Sequence, residues 1–255
     1  MKKIKSIFII FGFFLIMIIA SFLILYQYSA VSLRESLMRV AQIQMEYARA
    51  LLEQKINEIE IEADGILNSN DFKELQLMVM EEYDPYDYVM GVKNIKEYLN
   101  RRQRSNVGMS EFILYWPEPN YLISTLNKSD VSRNMLDRAE DNKWFYWEKE
   151  VYFVRRYSAD WVPAEEQPYL FIKMERDHLY KIKNMASGMG TGGTLLVFPD
   201  RQSLFSADGM EQALLTGLAE KQDKEAFELA AANEKYQIIK SGAVRTGWSS
   251  SPIIP

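Results

Sequence analysis

The apolar positions of this chain change their spacing along its length, and each change marks a different kind of element. Ile7 to Tyr26 reads IFIIFGFFLIMIIASFLILY and contains no charged residue. A run of about twenty such residues, at about 1.5 Å of helical rise each, spans about 30 Å, the thickness of a bilayer's hydrocarbon core. A helix satisfies its own backbone hydrogen bonds, so it is stable in lipid. Lys2, Lys3 and Lys5 precede the run, and Tyr26 and Tyr28 close it. The positive-inside rule places the lysines in the cytoplasm and everything after about residue 28 outside, with membrane lipid as the partner of this segment. A cleaved signal peptide has a shorter apolar core and a small-x-small site. Tyr28-Ser29-Ala30 puts a bulky residue at the first small position, so an uncleaved anchor over 7–28 behind a cytoplasmic tail, 1–6, is expected.

From Ser32 to Leu67 the spacing becomes three and four. Leu33, Leu37, Val40, Met45, Ala48, Leu52, Ile56, Ile59, Ala63 and Ile66 form an apolar stripe, with charged residues on other faces and no proline. This predicts one long amphipathic helix over 29–68. Such a helix can pack on its own domain, pair with a second copy as a stalk, or do both; a homodimer through it is expected. Gly65, Asn68, Ser69 and Asn70 end it. Shorter helices are predicted over Phe72–Glu82 and Val92–Gln103, separated by a turn-rich loop at residues 83–87. The cluster Arg101, Arg102 and Arg104 suits a helix C-terminus, where carbonyls leave partial negative charge.

Beyond residue 110 the pattern turns to β. EFILYW (Glu111–Trp116) and YLIST (Tyr121–Thr125) flank Pro117-Glu118-Pro119-Asn120, a hairpin signal. A short helix over Ser132–Glu140 is followed by strand-like runs at Trp144–Trp147, Glu150–Tyr157 and Pro168–Glu175. A helix over Arg176–Ala186 leads to a glycine-rich turn, then to strands at Thr194–Phe198 and Ser203–Ser206. A helical stretch over Met210–Ala232 and a strand over Lys235–Lys240 complete the reading. Strands grouped in antiparallel hairpins between helices indicate an α+β fold.

Composition narrows the function. The 255 residues are 48% hydrophobic and 25% charged, with a net charge of −5. An acidic balance argues against nucleic-acid binding. With no cysteine and one histidine, a structural zinc site and a cysteine nucleophile are excluded, and an exported domain must be held by packing alone. The adjacent carboxylates Glu81-Glu82 and Glu165-Glu166, like Glu148 with Glu150, read as solvated faces, because catalytic pairs need contrasting environments. The segment 187–194 lacks the Gly-Lys-Ser/Thr ending of a phosphate loop. His178 lies on the outer side of the membrane by this topology, where a surface or capping role is expected. No enzymatic constellation and no cofactor are expected.

The order of these motifs resembles a family. A membrane helix running into a long outer helix comes first, then the aromatic hairpin Phe112–Trp116 with Tyr121–Ser124. Phe171-Ile172-Lys173-Met174 follows, with a helix, a glycine-rich turn and the strands around Phe198-Pro199-Asp200. The ending is Lys235–Ile239, Thr246-Gly247-Trp248 and Ile253-Ile254-Pro255. The whole is similar to the double Cache extracellular domain of bacterial sensor histidine kinases and of membrane-bound AraC-type regulators of Gram-positive bacteria. The resemblance implies two PAS-like modules: a membrane-distal one over 69–178 that binds a small molecule, and a membrane-proximal one over 179–255. It also implies a second membrane helix and a cytoplasmic output beyond Pro255, so the chain is expected to be a part of such a receptor. Amino-acid-binding members share an Arg-x-Trp-Tyr segment whose arginine grips a carboxylate. The comparable stretch here is Asn142-Lys143-Trp144-Phe145, without that arginine. Tyr115, Trp144, Tyr146 and Arg156 are the candidate ligand-binding residues, and the same aromatics would equally serve an ordinary core. A membrane-anchored structural or adhesive protein with no ligand is the alternative function.

Overall fold

The computed structural model describes residues 2–80, 84–126, 131, 133–137, 139–148, 150–159, 161–163, 166–187, 193–197, 226–231, 234–239 and 249–254. The chain divides into two compact units, Met1–Gln44 and Met45–Pro255. The first consists of the N-terminal part of helix α1 (Lys2–Leu67). From Phe11 to Leu25 its large apolar side chains are all exposed in the isolated chain. This is the one described helix long and apolar enough to cross a membrane, with a mean hydropathy of 2.1 over its best window. A continuous apolar surface of this size is stable in lipid and costly in water.

In the second unit α1 obeys the three-four spacing. Ala48, Leu52, Ile56, Ile59, Ala63 and Ile66 are buried. The chain then turns at Asn68 and Ser69, where Ser69 Oγ accepts from Phe72 N at 3.3 Å and so caps α2 (Asn70–Met80). Helix α3 spans Pro85–Ser105. It starts earlier than the apolar spacing indicates, because Asp84 Oδ1 accepts from Tyr86 N at 2.7 Å and Pro85 occupies the first helical position. What reads as a turn-rich loop is therefore an N-cap.

Strands β1 (Met109–Trp116), β2 (Tyr121–Ser124), β3 (Lys143–Trp147), β4 (Glu150–Arg156) and β5 (Tyr169–Met174) form an antiparallel sheet in the order β2-β1-β5-β4-β3. The hairpins β1–β2 and β3–β4 bracket β5, which pairs with β1 on one side and β4 on the other. The central position of β5 explains its nearly unbroken apolar run Leu170-Phe171-Ile172. Among the described residues of the region 132–140, one helical turn forms, α4 (Arg133–Leu136).

Helix α5 (Arg176–Ser187) leads to a second antiparallel sheet of β6 (Gly193–Val197), β7 (Ala226–Ala231), β8 (Glu234–Ile239) and β9 (Ser249–Ile254), in the order β6-β9-β8-β7. Here the helical expectation over 210–232 is corrected at Ala226–Ala231, which is a strand. AFELAA favours helix locally, but pairing with β8 from Ala226↔Ile239 to Ala231↔Glu234 prevails. Residues 210–225, the expected strand at 203–206 and the glycine-rich turn at 188–192 lie outside the described residues.

The two faces of the first sheet are covered differently. Phe112, Leu114 and Trp116 of β1, Val151 and Phe153 of β4, and Leu170, Ile172 and Met174 of β5 belong to the larger apolar cluster, together with α1, α2, α3 and α5. Trp116 Nε1 donates to the buried Gln76 Oε1 of α2 at 2.6 Å, and Arg155 of β4 pairs with Asp64 of α1 at 3.0 Å. Ile113, Tyr115, Tyr152, Val154 and Phe171 point the other way, into a smaller cluster closed by Val131, Met135 and Leu136.

Two isoleucines on α1 test this arrangement. Ile59 is 0% exposed and Ile61 is 63% exposed. Ile59→Ala should destabilise the folded unit by about 2–5 kcal/mol, and Ile61→Ala by no more than about 0.5 kcal/mol, read from urea midpoints of the chain in micelles. Similar losses at both positions would contradict the assigned helix face.

Candidate ligand-binding site

The four residues singled out from the sequence do not share one site. In a strand successive side chains alternate between faces. Trp144 and Tyr146 point to the helix side of the sheet. Trp144 Nε1 donates to Glu60 Oε1 of α1 at 3.2 Å, and its ring lies 5.1 Å from that of Phe153. Trp144 therefore fastens edge strand β3 to α1.

Tyr115 and Arg156 are on the opposite face, and the strand register brings them into one row. Tyr115 of β1 pairs with Tyr169 of β5, and Tyr169 pairs with Arg156 of β4. The guanidinium of Arg156 lies 5.3 Å from the centre of the Tyr169 ring, a cation–π arrangement that orients it across the sheet. Its backbone N–H donates to Asp141 Oδ1 at 2.8 Å. Tyr115 Oη donates to Asn120 Oδ1 at 3.0 Å, and Asn120 holds a positive φ of 62° in the β1–β2 turn.

The next polar row along the same face was not singled out from the sequence. Glu111 pairs with Lys173, Lys173 with Tyr152, and Tyr152 with Phe145. Glu111 is only 4% exposed and accepts a 2.8 Å hydrogen bond from Ser124 Oγ. Lys173 reaches Glu150 at 3.3 Å. Burial, reinforced by Glu111, Glu150 and Glu148, pushes the Tyr152 hydroxyl far above the ordinary phenol range, so it remains a neutral donor. The signal for this row was present: Glu111 and Lys173 are charged positions in runs otherwise apolar enough to be central strands. Seeing that they face each other requires the register.

The face thus carries two polar rows, one with phenol and guanidinium groups and one with carboxylate, ammonium and phenol groups, on either side of the apolar row Ile113–Phe171–Val154. Apolar surface flanked by a few polar groups can hold and orient a small polar solute. Among the described residues, no group of three or more His, Asp or Glu is placed to hold a metal ion.

Neither a family model nor a curated protein matches the sequence. The fold is similar to solved sensor domains. The sensor domain of the Vibrio cholerae histidine kinase DctB matches with a TM-score of 0.60 at 9% identity, covering 87% of this chain and 98% of that one. The extracellular domain of the histidine kinase vpHK1S-Z8 matches with a TM-score of 0.58 at 11% identity, covering 86% and 94%. The ligand-binding domain of the Pseudomonas aeruginosa amino acid chemoreceptor PctC, solved with GABA, matches with a TM-score of 0.51 at 11% identity, covering 82% and 95%. The shared property is the α+β architecture of extracellular sensor domains.

Ser124→Ala would leave the buried Glu111 carboxylate without its hydroxyl donor. The expected loss is about 1–3 kcal/mol of stability, with Ser124→Thr close to wild type, measured as a shift in urea midpoint. A loss below about 0.5 kcal/mol would show that the carboxylate does not depend on that bond.

Proposed function

We propose that this chain is the extracellular ligand-sensing region of a transmembrane bacterial signalling receptor. The observation that carries this reading is the asymmetry of the first sheet: one face is sealed by four helices, and the other carries the polar rows Tyr115–Tyr169–Arg156 and Glu111–Lys173–Tyr152 with the apolar row Ile113–Phe171–Val154 between them. A rigid side and a thinly covered polar side are what a small-molecule receptor needs. The fold shared with sensor domains of histidine kinases and chemoreceptors supports it.

In this reading the first sheet belongs to the membrane-distal module of a double Cache domain, about 69–178, and the second sheet to the membrane-proximal module, 179–255. Segment 7–28 spans the membrane, with residues 1–6 in the cytoplasm. The output is a histidine kinase or an AraC-type regulator. Tyr47, Ala50 and Ile61 lie on the exposed side of α1, and pairing of two copies through that side of α1 belongs to this reading. Ligand binding to the outer face then shifts a two-state equilibrium that α1 transmits toward the membrane.

A thermal-shift screen of the chain in micelles tests the proposal. A ligand at one hundred times its dissociation constant adds about 2.7 kcal/mol to native stability. At least one compound among amino acids, sugars, organic acids and peptides should raise the melting temperature, and Arg156→Ala or Tyr115→Phe should abolish the shift. Silence across the whole set would favour a structural or adhesive role. A shift that survives both substitutions would move the site elsewhere.

A further inference from the structure

Three segments meet at Gly108, in the turn between α3 and β1. Its φ is +92°, and a Cβ there would lie 2.7 Å from Lys55 Cε of α1 and 3.0 Å from the His178 ring of α5. The backbone closes the junction: Glu175 N donates to Gly108 O at 2.8 Å, and His178 N donates to Glu175 O at 3.2 Å. Lys55 is 6% exposed and donates to Glu58 Oε2 at 2.9 Å. The chain's one histidine is therefore half-buried, at a backbone turn that the Lys55 side chain also reaches.

The charged groups around the imidazole come from two elements. From α1 they are Lys55 and Glu58; from α5 and its entry they are Glu175 and Lys181. The α3–β1 turn presents only backbone at Gly108. Burial holds the His178 pKa below its ordinary 6.5, and Lys55 and Lys181 act in the same direction, against Glu175 and Glu58. The first turn of α5 adds the partial positive charge of a helix N-terminus. The ring is neutral at pH 7.

We infer that the junction of Lys55, Gly108 and His178 is a proton-operated latch between α5 and α1. Proton uptake by His178 sets a second cation against the buried ammonium of Lys55 and loosens the first turn of α5, whose neighbouring Leu179 anchors it in the core. Helix α5 is the described element between β5 and β6, so the latch acts on the chain that leads from one sheet to the other. Because the docked state holds the imidazole pKa down, the undocked state binds more protons. The contribution of the neutral imidazole to docking is therefore fully present above pH 6.5 and declines as pH falls from there through the docked pKa. Glu58 is held below its ordinary 4.5, chiefly by its hydrogen bond from Lys55, so its contribution is lost only further into acid. The latch acts whether or not a solute occupies the outer face.

With one histidine in the chain, its ring proton resonance titrates without assignment, in the full chain in micelles. The expected midpoint lies below 6.5 and moves up in Lys55→Met. Over the same window amide protection in α5, normalised to that of β5, should fall, at most tenfold per pH unit for a single proton. His178→Gln should remove the fall. A midpoint at the ordinary value in both the wild type and Lys55→Met would overturn the latch. So would α5 protection that is flat with pH in the wild type, or that falls equally in His178→Gln.

Discussion

Burial of the α1 stripe against one face of the first sheet is the interaction on which the folded unit depends. Ile56, Ile59, Ala63 and Ile66 fill the space above Phe153, Leu170 and Ile172, and α2, α3 and α5 close the same cluster. Each fully buried aliphatic side chain contributes about 1.5–3 kcal/mol relative to exposure. No disulfide assists, since the chain has no cysteine. Polar contacts then fix the geometry that apolar burial leaves open: Trp144 to Glu60, Arg155 to Asp64, Arg102 to Glu62 and Trp116 to Gln76 each join different elements.

That allocation determines what the other face can do. With the long helices all on one side, the opposite side is closed by Val131, Met135 and Leu136 from a segment with one helical turn. A cover with few buried apolar contacts belongs to the low-stability end of a protein, where local opening is least costly. Tyr115, Tyr152 and Tyr169 belong to the same cluster. Helix α1, which covers the other face, carries the apolar segment Phe11–Leu25 near its start.

Much of the fold was legible because period reports face. The three-four stripe of α1, the hairpin at Pro117–Asn120 and the α+β order all follow from spacing and turn chemistry. Two strands were not legible. Ala226–Ala231 has helical propensity, and a non-local partner makes it a strand. Ser249–Ile254, with three serines and a proline, has little strand signal of its own and is a strand through pairing with β6. The candidate site was half legible. Tyr115 and Arg156 were placed together by register, whereas Trp144 and Tyr146 differ from them by the parity of their strand positions. Aromatic character alone cannot reveal parity between strands.

Because the chain has no cysteine, single cysteines report burial cleanly. Ile113 and Leu114 are adjacent in β1 and both are 0% exposed, one under the thin cover and one under the helices. Thiol labelling of Ile113→Cys and Leu114→Cys under native conditions, as a function of urea, measures how each face opens. Cys at 113 should label through a local opening that depends little on urea, and Cys at 114 only through global unfolding with a full urea dependence. Equal rates with equal urea dependence would show that the two faces are sealed alike and would contradict the account.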